Sequence, residues 1–293
     1  MTRRTVIALM SAAMARTATR LPANKNVKWA LGSNLWNSFP PVPFTDILDI
    51  MRDTGFIGLR LTQFPQILDK YGMTAANMER EASKRGVQII TISYSGPAQD
   101  PAQTKMVVEN ARKAMQFLQA FGAKHLVVFS PGRKDMSDVA FKTMCQTFNH
   151  IGEAAGEMGF RAGLHNHLNQ MVENEAEVDK CMAMTDPKLF WFSPDIAHTY
   201  LPGMDPAKIM DRYRNRLMLV DYKDAKRGVK NFRDSIFDFG DGEIDFAACH
   251  RVLKSIQYKG WICADLDTAR QGPRVSYERC GEYVVNKLES IYV

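Results

Sequence analysis

Phe190-Trp191-Phe192-Ser193-Pro194-Asp195-Ile196-Ala197-His198 is the stretch on which the reading of this chain turns. Three bulky apolar residues in a row, Phe190 to Phe192, fit a strand buried on both faces, as in a parallel sheet. Pro194 has no N–H to give to a ladder and ends the strand. Asp195 then stands at the strand's C-terminal end. His198 follows three residues on, so a carboxylate and an imidazole can meet at one point above the strand. The plain alternative is that Asp195 caps the next helix and His198 packs. How the other strands end decides between the two.

Outward from this stretch, short apolar runs alternate with helical patterns. Trp29–Gly32, Phe56–Leu61, Val87–Ser93 and His125–Phe129 read as the first four strands. Arg161–Leu164, Phe190–Ser193, Leu217–Val220 and Trp261–Ala264 read as the last four. Between them, helices are expected over Phe44–Thr54, Met73–Arg85, Pro101–Phe121, Asp138–Met158, Glu175–Met184, Asp205–Tyr213 and Asp245–Ser255, with Val275–Ile291 closing the chain. Gly55, Gly86, Gly122 and Gly159 stop four of them, and Pro206 sits where its missing N–H costs nothing. Gly228–Gly242 reads as an irregular loop. Eight strand-helix units in sequence predict an α/β fold, a (β/α)8 TIM barrel in a single domain. An open doubly wound sheet would want a Gly-rich phosphate loop after an early strand, and Ser33-Asn34-Leu35-Trp36 is not one.

The chain has 293 residues, room for one barrel of roughly 250 residues and a leader. Its formal net charge of +6 is mild and its basic residues are scattered, so nucleic acid is not expected as a partner. The five cysteines are far apart and odd in number, which predicts buried thiols rather than a disulfide framework. Residues 1–26 read as an export signal-like leader and linker: Arg3-Arg4 precedes a mild apolar run, and Ala13-Met14-Ala15 fits a cleavage site. This resembles a twin-arginine signal and predicts a periplasmic or exported protein, or a cytoplasmic one if the leader is not a signal. The run is too short for stable membrane insertion. The barrel is expected over 27–293, and a homo-oligomer is compatible with it.

In a barrel, catalytic groups gather where strands end at the C-terminal face. The fifth strand ends at His165, the sixth at Asp195, the seventh at Asp221 and the eighth at Asp265. One imidazole and three carboxylates form a mixed nitrogen and oxygen set that suits one divalent ion: Mn, Mg, Zn or Co. His167 and His198 stand nearby. The ends of strands two to four offer poor ligands, which confines the candidate site to one half of the barrel. Asp221 and Asp224 can also be read as loop caps.

The motifs Gly163-Leu164-His165-Asn166-His167, Asp195-Ile196-Ala197-His198, Val220-Asp221-Tyr222-Lys223-Asp224, Gly240 to Phe246, and Tyr258 to Asp265 run in one order. In that order the chain resembles the sugar phosphate isomerase/epimerase family, the xylose-isomerase-like TIM barrels. The last two motifs are similar to the family's Gly-Glu-Gly-x-Ile-Asp-Phe loop and Tyr-x-Gly-Trp-x-x-x-Glu strand. The resemblance implies one divalent metal, held in the family by Glu, Asp, His and Glu after strands five to eight. Here these positions are His165, Asp195, Asp221 and Asp265, so one His and three carboxylates are kept with the His moved across the site.

The resemblance also implies a metal-dependent enzyme that abstracts a proton next to a carbonyl of a carbohydrate. His165, His167 and Asp265 are the candidate catalytic groups, and His198, Lys223 and Trp36 the candidate substrate contacts. Returning the proton elsewhere makes an isomerase or epimerase. Losing a β-leaving group makes a lyase or dehydratase, acting on 3-keto-glycosides or keto-inositols. Export and the lack of a phosphate loop favour an unphosphorylated substrate. Two other classes stay open: a non-catalytic carbohydrate-binding barrel, and a DNA-repair endonuclease with a three-metal cluster, for which six histidines are few.

Overall fold

The computed structural model describes residues 20–22 and 25–292. The export motifs, Arg3-Arg4 and Ala13-Met14-Ala15, lie outside the described residues. Strands in chain order are β1 (Val27–Gly32), β2 (Gly58–Leu61), β3 (Gln88–Tyr94), β4 (His125–Phe129), β5 (Arg161–His165), β6 (Phe190–Phe192), β7 (Val220–Tyr222), β8 (Asp224–Ala225), β9 (Ile236–Phe237) and β10 (Gly260–Ala264). All but β8 and β9 form one eight-stranded sheet in the order β6-β5-β4-β3-β2-β1-β10-β7. Every neighbouring pair in it is parallel. Its two outer strands meet through the bridges Phe192–Leu217 and Asp195–Asp221, which close the ring. The second bridge brings two of the candidate ligands side by side: the Asp221 N–H donates to the Pro194 carbonyl at 2.9 Å.

Strand alternation builds two apolar layers. Leu31 and Ile262 point outward into the large core shared with the surrounding helices. Ala30 and Cys263 point the other way and join Ile90, Leu219 and Trp261 in a small inner cluster. That cluster fills the barrel's interior and leaves its C-terminal mouth for polar groups. All five cysteines are buried and free. No helix among the described residues is long and apolar enough to cross a membrane.

The helical boundaries follow local chemistry. Phe44–Thr54 ends on Gly55 at φ 85°, a conformation that favours glycine. Asp205 caps Pro206–Arg212 by accepting from the backbone of Ala207 and Lys208. The expected helices over Met73–Arg85 and Pro101–Phe121 are shorter, Ala75–Ser83 and Thr104–Gln119. The seventh strand is displaced to Val220–Tyr222, because Ile262–Ala264 of β10 set its register. Gly228–Gly242 is less irregular than expected: it contains the helix Phe232–Ser235 and β9, which pairs with β8. Asp224 holds this excursion down by accepting from the backbone N–H groups of Ala225, Gly240, Gly242 and Ile244, so its cap reading holds. A Cβ on Gly242 would strike the Asp224 carboxylate.

Candidate metal centre and substrate pocket

His165 is the last residue of β5, Asp221 lies within β7, and Asp265 directly follows β10. Asp195 is delivered by Pro194, which stops β6 one step below it. These four side chains are 0–2% exposed. One ligand atom from each lies within 4.8 Å of every other, a group that could hold a metal ion. The strand-end reading expected these four at one place, and the closed barrel brings them together there.

Asp195 is also a cap, as the plain alternative had it. Its Oδ1 accepts from the N–H groups of Ala197 and His198 at 2.9 and 3.0 Å. Its Oδ2 has no hydrogen-bond partner, and neither do Asp221 Oδ1, Asp265 Oδ1 or His165 Nδ1. His165 Nδ1 lies 2.9 Å from Asp221 Oδ2, outside hydrogen-bond alignment. Buried polar atoms are costly when unpaired. Four buried groups brought within ligand distance of one another, each with an atom that no hydrogen bond satisfies, are the observation that fits a divalent ion.

Two cations share the site. Arg60, in the middle of β2, reaches across the barrel interior to Asp221 Oδ2 at 2.6 Å and pairs with Asp265 Oδ2 through its other amino group. Lys223 Nζ lies 3.0 Å from Asp195 Oδ2, 3.1 Å from Asp265 Oδ2 and 2.6 Å from Asp267 Oδ2. With all four acids ionised, four carboxylates against two cations leave two negative charges, the complement of one divalent ion. Gly32 makes room for this cluster, since a Cβ there would overlap Asp265 Oδ1. Arg60 was not anticipated from sequence. The signal was an arginine inside the apolar run Gly58-Leu59-Arg60-Leu61, because a charge within a barrel strand must find a buried partner.

The charges of the acids are unequal. Burial raises Asp221 to about 7, with Asp265 repelling it further and Arg60 pulling it back. Burial likewise raises Asp195 to about 6, against the pull of Lys223 and His165. Asp265 resists the same burial because Arg60 and Lys223 both face it, and it stays well below the usual carboxylate range. Lys223 stays charged: burial alone would lower it, but Asp195, Asp265 and Asp267 outweigh that and raise it. Burial, then the Arg60 charge, lowers His165 to about 3.

A pocket opens above the cluster. Asn34, Asn37, Arg60, Thr62, Gln63, Ser93, Tyr94, Ser95, Phe129, His165, His167, Gln170, Lys223, Asp265 and Asp267 line it. His167 Nδ1 lies 2.7 Å from the Leu168 carbonyl. A carbonyl only accepts, so Nδ1 carries the proton and Nε2 keeps its lone pair. Burial, followed by the neighbouring His165, lowers His167 to about 4.

Two expected substrate contacts are placed elsewhere. His198 is fully buried and lies behind His167, with ring centroids 3.6 Å apart. Its Nδ1 accepts from the Leu168 N–H, and Phe232 stacks on it, so it packs beneath the wall instead of lining the pocket. Trp36 lies in the 3-10 turn Ser33–Ser38, which carries its indole outward onto Tyr277 at a centroid distance of 5.6 Å. It borders a separate shallow groove with Phe39, Val42 and Pro273. The neighbours that do reach the pocket, Asn34 and Asn37, were passed over in sequence.

The family model for the xylose isomerase-like TIM barrel matches residues 48–279, and the chain belongs to that family. It is 25% identical over 290 residues to the inosose dehydratase of Clostridium perfringens (strain 13 / Type A), covering 86% of this chain and 93% of that one. It is 35% identical over 153 residues to the inosose dehydratase of Bacillus velezensis, covering 48% of this chain and 50% of the relative. That match thus spans about half the length of the Bacillus relative. Among solved structures, the IolI protein with a bound zinc atom superposes with a TM-score of 0.77 at 11% identity, covering 90% of this chain and 99% of that one. The probable 3-DHS dehydratase AsbF of Bacillus anthracis gives a TM-score of 0.76 at 14% identity, with coverage of 89% and 99%. The structural likenesses carry the fold.

Proposed function

We propose that this protein is a divalent-metal-dependent enzyme that takes a proton from the carbon next to a carbonyl of an unphosphorylated sugar derivative. The dehydratase relatives favour elimination of a β-leaving group over isomerisation. The observation that carries the reading is the convergence of His165, Asp195, Asp221 and Asp265; each also has a buried atom with no hydrogen-bond partner. These four would hold the ion; Mn, Mg, Zn and Co all suit the donor set. When bound, such an ion supplies Lewis-acid polarisation of a carbonyl.

The protein's own groups supply the rest. His167 is the base, since its tautomer is fixed by the Leu168 carbonyl and it stays neutral in the pocket wall. Lys223 is the donor beside the carbonyl, oriented by Asp267. Asp267 is itself held by the Asn34 amide at 3.1 Å. His165 and Asp265 act from the metal side, and His198 steadies His167 from behind. The opposite wall presents amides and hydroxyls, Asn34, Asn37, Thr62, Gln63 and Ser95, which suit the hydroxyls of a sugar or cyclitol. Both cations lining the pocket are committed to carboxylates, which favours an uncharged substrate over a phosphorylated one.

The test is incubation of purified, Mn-supplemented protein with a keto-inositol, a 3-keto-glycoside and a ketose, with products followed by NMR. Elimination from one of the first two is expected. Turnover of the ketose alone would move the assignment to isomerase. Tight binding of all three without turnover would make it a carbohydrate-binding barrel.

A further inference from the structure

Lys223 occupies an unusual position for a lysine in a site that could hold a metal ion. Its side chain is 1% exposed, and its Nζ lies 3.0 Å from Asp195 Oδ2 and 3.1 Å from Asp265 Oδ2. Both residues belong to the candidate ligand set. A divalent ion bonded to those carboxylates would sit about 2.0–2.6 Å from their oxygens. It would then be only a few ångströms from the ammonium, in a buried place where charges are weakly screened. Two cations at that separation repel strongly, doubly so when one is divalent.

The third contact offers a way out. Asp267 Oδ2 is 2.6 Å from Nζ. Asp267 is 20% exposed and lines the pocket, unlike Asp195. Its other oxygen is held by Asn34 Nδ2, so the carboxylate keeps its place whether or not Lys223 leaves the acids below. The flexible lysine stem can swing Nζ toward the pocket about this single anchor. Arg60 has no such freedom, because both of its amino groups are fixed to Asp221 and Asp265 within the barrel.

We propose that the Lys223 ammonium and a divalent ion are alternative partners of Asp195 and Asp265, with Asp267 holding the lysine at the pocket wall when the ion takes the acids. Lys223 is thus a built-in counter-ion that sets the threshold for metal binding, and it becomes a donor facing substrate only as the ion binds. Activation is thereby tied to metal supply. The inference rests on the metal reading above.

Calorimetric titration of the full chain with Mn2+ alone, against wild type and Lys223→Met, tests it. Removing the competing cation should tighten binding at least about tenfold, the effect of one charge at close range. Equal or weaker binding by a folded variant overturns the exchange and leaves the metal centre standing. Absence of binding in both proteins overturns the exchange and the metal centre together. A second measurement needs no substitution: lysine acylation of wild-type protein, read at Lys223 by mass spectrometry with and without Mn2+. Release toward the pocket predicts severalfold faster modification with the ion. An unchanged or slower rate overturns the exchange, and this readout decides alone if the variant fails to fold.

Discussion

The barrel mouth has two unlike halves. From β5 through β7 to β10 it presents two imidazoles, four carboxylates and an ammonium, mostly buried. From β1 through β4 it presents amides and hydroxyls: Asn34, Asn37, Thr62, Gln63, Ser93 and Ser95. The same strand-helix unit built both halves, so the difference lies in the residues that follow each strand. The charged half is equipped to hold an ion and move a proton. The neutral half is equipped to recognise hydroxyl groups. Two side chains of the neutral side join them: Arg60 rises to neutralise acids on the charged side, and the Asn34 amide donates to Asp267.

The Arg60 link is the first place to break the comparison. Arg60→Met should leave Asp221 and Asp265 buried without their cation. Breaking a buried pair on one side typically costs about 3–5 kcal/mol, and urea denaturation should show a loss of that size. A loss below about 1 kcal/mol would mean the two halves are not electrostatically joined.

Next in size is the base. His167→Ala should lower kcat by about a hundredfold or more, with KM little changed, because the ring moves a proton and is not needed to hold the sugar. Steady-state kinetics would separate this from a packing role, in which KM and thermal stability move instead and kcat does not.

The pH dependence follows from the raised acids. Asp195 and Asp221 have an ordinary value of 3.8 and rise to about 6 and about 7. Between these values the folded protein holds more protons at these acids than the unfolded chain does. Their contribution to stability is therefore greatest near pH 4 and falls as pH rises toward 7. Asp265 has the opposite sign, because it is held low: its contribution is present above 3.8 and lost only in stronger acid. Metal affinity should run against the first trend, since ligands must shed protons. Titrations with Mn2+ should show affinity rising by about a hundredfold per unit below pH 6, where both acids shed a proton, by about tenfold per unit between 6 and 7, and levelling above about 7. A flat profile from pH 5 to 8 would remove these two acids from the ligand set.

The neutral half should show the smallest effect. Gln63→Ala should raise KM by about three- to tenfold, the worth of one hydrogen bond to a neutral group, while kcat and metal affinity stay put. A kcat loss larger than the KM change would mean that recognition and chemistry are not divided between the halves.

How much of this was legible in the sequence follows the same division. His165, Asp195, Asp221 and Asp265 could be read because a parallel barrel sends every strand end to one face, whatever the loops do. The displaced register of β7 did not matter, since Asp221 faces the site from within the strand as well as from its end. Arg60 hid because a single charge in a short strand reads as alternation until its partners are known. Trp36 was misplaced because a 3-10 turn after β1 rotates its indole away from the pocket, and nothing in Ser33-Asn34-Leu35-Trp36 fixes that rotation. His198 was read as a substrate contact in the loop or first turn after Asp195; it lies in that turn, but the cap made by Asp195 folds it in behind His167. Lys223 was read as a substrate contact; its engagement with three carboxylates depends on β7 and β10 being neighbours, which is a property of the closed barrel and not of either segment.

The most direct test of the metal centre is anomalous diffraction from crystals of the protein soaked in Mn2+. The account predicts one peak, about 2.0–2.6 Å from side-chain atoms of His165, Asp195, Asp221 and Asp265, with Arg60 still paired to the far side of Asp221 and Asp265. A map with no peak among these four residues, or with manganese bound only at surface acids, would contradict it.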